Sequence, residues 1–173
     1  MIIKNITHWF TLTLILLATM PALAAPPSFT SSSSAPIDIT ADRLDIEQQH
    51  GKAVFQGDVL AKQEDMTVRS QIMTILFATE GESSDVQEII AENSVTITLG
   101  AKVATCETAH FYTNGNKLVL TGNPLLKEGQ NVIEGVKIIF FLDEDRSIVE
   151  GKTDARVKTT IFPGQKGLFD NQQ

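Results

Sequence analysis

Lys52-Ala53-Val54-Phe55-Gln56-Gly57-Asp58-Val59-Leu60-Ala61-Lys62 lies on Lys117-Leu118-Val119-Leu120-Thr121-Gly122-Asn123-Pro124-Leu125-Leu126-Lys127 at an offset of 65 residues, without a gap. At the same offset Leu44 and Ile46 meet Ala109 and Phe111, and Met73, Ile75 and Phe77 meet Ile138, Phe140 and Leu142. Inside this long repeat runs a shorter one. An apolar-x-small triplet is followed, after two residues, by an apolar-x-apolar triplet. The copies are Ile39-x-Ala41 with Leu44-x-Ile46, Val68-x-Ser70 with Met73-x-Ile75, Ala104-x-Cys106 with Ala109-x-Phe111, and Ile133-x-Gly135 with Ile138-x-Phe140. A repeat of this length signals stacked units that cannot bury their apolar faces alone.

The local pattern is that of strands. Ile37-Asp38-Ile39, Leu44-Asp45-Ile46, Ser94 to Leu99 and Lys117 to Thr121 alternate apolar and polar side chains, many of them β-branched, which is the period of a half-buried strand. The two-residue break resets the alternation, so both flanking triplets aim their apolar residues the same way. The small residues before each break (Ala41, Ser70, Cys106, Gly135) suit a bend or bulge. Pro124, where the first copy has Val59, has no N–H to donate and predicts interrupted pairing there. The expectation is an all-β fold of stacked antiparallel strands, an open twisted β-jelly-roll or β-solenoid. Its two facing sheets, joined at corners, share one apolar interior. Thr79 to Asp85 is expected as a loop, and Asp143-Glu144-Asp145 as a hairpin turn.

Around this core the ends differ. Lys4, the apolar stretch Trp9 to Ala18 and the Ala22-Leu23-Ala24 pattern have the layout of a secretory signal peptide, expected at 1–24 with cleavage after Ala24. The stretch is shorter than the ~20 apolar residues of a spanning helix. Residues 25–36, including PPSFTSSSSAP from Pro26 to Pro36, read as a flexible lead-in. The folded domain is expected over 37–162, with a loose tail at 163–173.

Composition excludes several functions. The formal charge is −7, or −8 once Lys4 is removed, and no two basic residues adjoin. That leaves no stripe to neutralise phosphates, so nucleic acid is not an expected partner. Cys106 is the single cysteine and cannot form an internal disulfide. Cys106 and His110 on one strand are roughly 13 Å apart at about 3.3 Å per residue, too far for a nucleophile and base. Asp42, Arg43, Asp45 and Glu47 lack Gly-bounded ligand spacing and read as a solvated face. No P-loop occurs. No catalytic residue, metal or cofactor is expected.

Ala41-Asp42-Arg43-Leu44-Asp45-Ile46, Phe55-Gln56-Gly57-Asp58-Val59, Leu118 to Pro124 and Ile148-Val149-Glu150-Gly151, in this order behind a leader, resemble the OstA-like family over about residues 37–160. The resemblance implies a periplasmic carrier of lipopolysaccharide in a Gram-negative cell. It would receive its cargo from an inner-membrane transporter through a bitopic subunit, pass it to an outer-membrane translocon and stack head to tail. The segment 37–46 would then dock the inner-membrane side, and the segment 147–162 the outer-membrane side or the next copy. Acyl chains need a dry trough, since each CH₂ removed from water is worth about 0.8 kcal/mol. The residues aimed inward by alternation are the candidate lining: Ile37, Ile39, Leu44, Ile46, Phe55, Val59, Met73, Ile75, Phe77, Ile97, Phe111, Leu118, Leu120, Ile133, Ile138 and Phe140. Each could equally be ordinary core. Ile37, Ile39 and Phe140 are expected nearest the open ends. Two alternatives stand beside this reading. One is the membrane-anchored bitopic partner of the same pathway, which would keep its leader. The other is a β-solenoid enzyme or carbohydrate binder, disfavoured by one Trp, inside the leader, and one Tyr, Tyr112.

Overall fold

The computed structural model describes residues 35–78, 85–144 and 146–163. The expected leader, nearly all of the lead-in, residues 79–84 of the expected loop, Asp145 of the expected turn and residues 164–173 lie outside them. Within the described residues the strands are β1 (Asp38–Thr40), β2 (Arg43–Glu47), β3 (Lys52–Gln63), β4 (Met66–Phe77), β5 (Val86–Leu99), β6 (Lys102–Tyr112), β7 (Lys117–Thr121), β8 (Leu125–Glu128), β9 (Asn131–Glu134), β10 (Lys137–Phe141), β11 (Arg146–Glu150) and β12 (Lys158–Thr160). Every pairing is antiparallel, and all twelve strands belong to one hydrogen-bonded sheet.

The sheet is creased lengthwise. The long strands cross the crease with a register shift: between Gln56 and Val59 in β3, Arg69 and Ile72 in β4, Glu92 and Val95 in β5. β6 crosses it between Thr105, on β8, and Thr108, on β7. Elsewhere the chain breaks into two strands at the same line: β1 and β2, β7 and β8, β9 and β10, β11 and β12. One wall is therefore β2, the adjoining halves of β3 to β6, β7, β10 and β11. The other is β1, the remaining halves of β3 to β6, β8, β9 and β12. The corners anticipated from Ala41, Ser70, Cys106 and Gly135 all fall on the crease. The two facing sheets anticipated as joined at corners are two wings of one sheet, because β3 to β6 carry their hydrogen bonding through the bend. Pro124 occupies the gap between β7 and β8, as its missing N–H requires, and is fully buried.

The offset of 65 residues is built into these corners. Asp42 N donates to Gly57 O at 3.0 Å, and Glu107 N donates to Gly122 O at 3.2 Å. Gly57 (φ +82°) and Gly122 (φ +76°) are each followed by a left-handed residue, Asp58 and Asn123. A Cβ on Gly57 would overlap the Asp42 carboxylate, and one on Gly122 would overlap the Glu107 side chain. Left-handed backbone and close approach both demand glycine. Gly122→Ala is expected to cost more than about 1 kcal/mol of stability; an unchanged urea midpoint would show that the corner relaxes freely.

Burial follows the register. In the first wall one inward row reads Leu44, Phe55, Met73, Ala91, Ala109, Leu120, Ile138, Val149 across successive strands. The next reads Ile46, Ala53, Ile75, Ile89, Phe111, Leu118, Phe140. In the second wall the row is Ile39, Ala61, Val68, Ile97, Ala104, Leu126, Ile133. Members of all three rows, with Val59, Val95 and Cys106 beside the crease, form a single buried cluster, so the walls pack on each other. The fold is not a closed barrel. Among the described residues β1 and β2 pair only with β3, β11 only with β10 and β12 only with β9, so no other described strand covers the edges at the two ends of the stack.

Candidate functional site

The candidate site is the apolar interior where it reaches solvent. Of the residues assigned to it by alternation, Val59, Met73, Ile75, Ile97, Leu118, Leu120, Ile133, Ile138 and Phe140 are buried. Ile39, Phe55, Phe77 and Phe111 are half-buried. Ile37, Leu44 and Ile46 are exposed, at 41%, 49% and 61%. All but Ile37, Leu44, Ile46, Ile75 and Phe77 belong to the central cluster or pack directly against it. The interior is therefore filled along the crease and opens at the first strands. Phe140, expected at an open end, is a correction: β11 covers it in register, Phe140 facing Ser147, and it belongs to the buried core.

The first strands expose their inward side chains for a simple reason. β2 is the outermost strand of its wall, so Leu44 and Ile46 have Phe55 and Ala53 on one side and no strand on the other. Their outward neighbours are polar, with Arg43 Nη2 donating to Asp45 Oδ2 at 2.9 Å. The far end repeats the arrangement. Thr159 faces Ile133, and Val157 and Ile161, two residues to either side, are 44% and 55% exposed. The sequence reading missed Val157 and Ile161, which lie beyond the last copy of the repeat. It also passed over the core alanines Ala61 and Ala91, and it placed Ala104 and Ala109 at apolar positions of the repeat without counting them in the lining.

Cys106 and His110, weighed as a nucleophile–base pair, are not brought together. Cys106 points into the core, and burial, with the Glu107 carboxylate next to it, pushes its thiol up to about 11. His110 lies on the same strand beyond the crease and points out of the first wall, where its Nδ1 donates to Glu88 Oε1 at 2.7 Å. The two side chains thus face opposite sides of the sheet. On that outer face the Tyr112 ring stacks on His110, with centroids 5.9 Å apart, and Lys117 Nζ lies 4.7 Å from the Tyr112 centroid. Burial, together with the charge of the Glu88 carboxylate and its hydrogen bond, raises the Tyr112 hydroxyl above its ordinary value. Among the described residues no helix is long and apolar enough to cross a membrane. The anchor required by the bitopic alternative would fall in residues 1–34, outside them.

Comparison with known proteins agrees with this architecture. Residues 38–146 match the family model described as LptA/(LptD N-terminal domain) LPS transport protein. An uncharacterized protein of Rhizobium meliloti (strain 1021) is 31% identical over 138 residues, 76% of this chain and 74% of that protein. An uncharacterized protein of Rickettsia prowazekii (strain Madrid E) is 23% identical over 111 residues, 63% of this chain and 77% of that protein. The crystal structure of LptH from Pseudomonas aeruginosa, titled the LptA-homologous periplasmic component of the lipopolysaccharide transport device, superposes with a TM-score of 0.65. It shares 19% identity and covers 75% of this chain and 96% of that one. That likeness concerns the fold: an open, creased β-jelly-roll.

Proposed function

Because this chain belongs to the family of LptA and LptD N-terminal-domain lipopolysaccharide-transport proteins, we propose that it is a non-catalytic periplasmic carrier. It would hold lipopolysaccharide by its acyl chains and bridge the inner and outer membranes. The observation that carries this reading is the exposure of Ile37, Leu44 and Ile46 at the inward face of the first strands, continuous with a dry core. Exposed apolar side chains that abut a buried apolar cluster offer alkyl chains a place out of water. Acyl chains enter at this end and lie against half-buried Ile39, Phe55 and Phe111. The phosphates and sugars stay outside the apolar interior, at the mouth or along the free margins of the walls.

An acidic chain attracts phosphate poorly, so affinity resides in the apolar contacts and depends little on screening. Lipopolysaccharide binding measured between 50 mM and 500 mM salt is expected to change by less than about threefold. A loss of tens-fold would place the affinity in ionic contacts and overturn the reading.

Docking follows from the open edges. A strand edge with unpaired N–H and C=O groups can accept a partner's strand. In our reading β1 and β2 receive the bitopic inner-membrane subunit, while β11 and β12 meet the outer-membrane translocon or the first strands of another copy. Ile39→Pro removes one donor from β1 and is expected to cut capture of the upstream subunit while the fold persists by circular dichroism. Full capture by a folded variant would exclude β1 as the docking edge. Export through a cleaved leader belongs to the same proposal.

A further inference from the structure

The inward face of the second wall changes character at its free margin. Two residues beyond the apolar row, the register aligns Gln63 with Met66, Met66 with Leu99, Leu99 with Lys102, Lys102 with Glu128, and Glu128 with Asn131. Parity places this row on the same side as Ala61, Ile97, Leu126 and Ile133, facing the apolar interior. Met66 packs against the buried core and Asn131 is 4% exposed, which confirms the direction. Four polar side chains, Gln63, Lys102, Glu128 and Asn131, thus border the apolar interior at the free margin of this wall.

The amides in this row already have backbone partners. Gln63 Nε2 donates to Ala35 O at 3.0 Å, and Asn131 Oδ1 accepts from Phe162 N at 2.8 Å. Glu128 differs: its Oε2 is shut off from solvent and has no hydrogen-bond partner among the described residues. A buried acceptor left empty is costly, and the cost is recovered by whatever donor fills it. A carboxylate accepts from donors and repels phosphate. In a glycolipid held against the inward face of this wall, the donors that suit it are the sugar hydroxyls.

We propose that the Glu128 lip of the second wall is a head-group subsite, where sugar hydroxyls of an acylated glycan donate to the carboxylate while the acyl chains occupy the apolar interior. This rests on the acyl-carrier reading above and adds to it a second determinant, selectivity for a sugar head over a bare fatty acid. Rotation of the terminal carboxylate can bring either oxygen to the lip, since the residue as a whole is only half-buried.

The test uses the full chain and two probes, lipopolysaccharide and laurate, the second having an alkyl chain but no hydroxyl donor at neutral pH. Glu128→Leu removes the acceptor, and Glu128→Gln keeps one carbonyl oxygen. Glu128→Leu is expected to weaken lipopolysaccharide binding about tenfold, the loss of one hydrogen bond to a charged group. It should leave laurate binding unchanged and raise the melting temperature of the free protein, because the empty acceptor is gone. Glu128→Gln is expected to recover part of the lipopolysaccharide affinity. Unchanged lipopolysaccharide binding by Glu128→Leu would overturn the proposal, as for an oxygen satisfied by water alone. So would a parallel fall in laurate binding, which marks a structural role. If the wild-type chain takes up neither probe, the carrier reading fails first, and this subsite with it.

Discussion

Truncating Leu120 to alanine is expected to destabilise the fold by about 2–5 kcal/mol, the range for removing a large buried aliphatic side chain that leaves a cavity. Leu120 is 0% exposed, and so is Ile138, its direct partner on β10. It stands beside the crease, where the wall rows converge with Val59 and Val95, each 1% exposed. Neighbours held by sheet hydrogen bonds on both sides cannot collapse into the space, which argues for the upper half of the range. The check is chemical denaturation with matched m-values. A loss under about 1 kcal/mol would mean that the interior has room to repack, and hence a looser cleft than the one described.

The second large effect reverses that separation of stability from binding. Leu44→Glu with Ile46→Glu places two carboxylates on the inward face of β2. Both side chains are about half or more exposed, so folding is expected to change by less than about 1 kcal/mol. Binding should suffer heavily. Taking an apolar side chain from full exposure to full burial is worth about 1.5–3 kcal/mol; these two are about half exposed, so covering both is worth about 1.5–3 kcal/mol in all, roughly a ten- to hundredfold loss of affinity for lipopolysaccharide. The pair Arg43→Ala with Asp45→Ala, on the outward face of the same strand, is the matched control and should bind normally. Equal loss in both pairs would show that β2 matters for its edge and not for its inward face.

How legible this was from sequence depends on what each signal can encode. Period-two alternation reset by a two-residue break identifies a strand crossing a corner, and Ala41, Ser70, Cys106 and Gly135 marked the crease because only small or flexible residues fit there. The repeat aligned Gly57 with Gly122 across 65 residues, while the acidic side chains packed against them, Asp42 and Glu107, emerged only with the structure. Alternation says which side a residue faces and nothing about depth. That is why Leu120 and Ile46 read alike, though one is sealed by strands on both sides and the other has a strand on one side alone. Phe140 was misplaced for the same reason: β11, which begins six residues beyond it, pairs alongside it. Glu128 escaped because a polar residue at an inward position looks like a surface residue until the register with Leu126 and Asn131 is known.

The central claim is that alkyl chains enter the creased sheet at the inward face of its first strands. Site-specific photo-crosslinking to lipopolysaccharide from Leu44, Ile46 and Asp45, three nearby positions on one exposed strand, tests it most directly. Strong adducts at Leu44 and Ile46 with little or none at Asp45 are the predicted result. Adducts at Asp45 equal to those at its neighbours, or none at the two apolar positions in a protein that still carries the lipid, would contradict it.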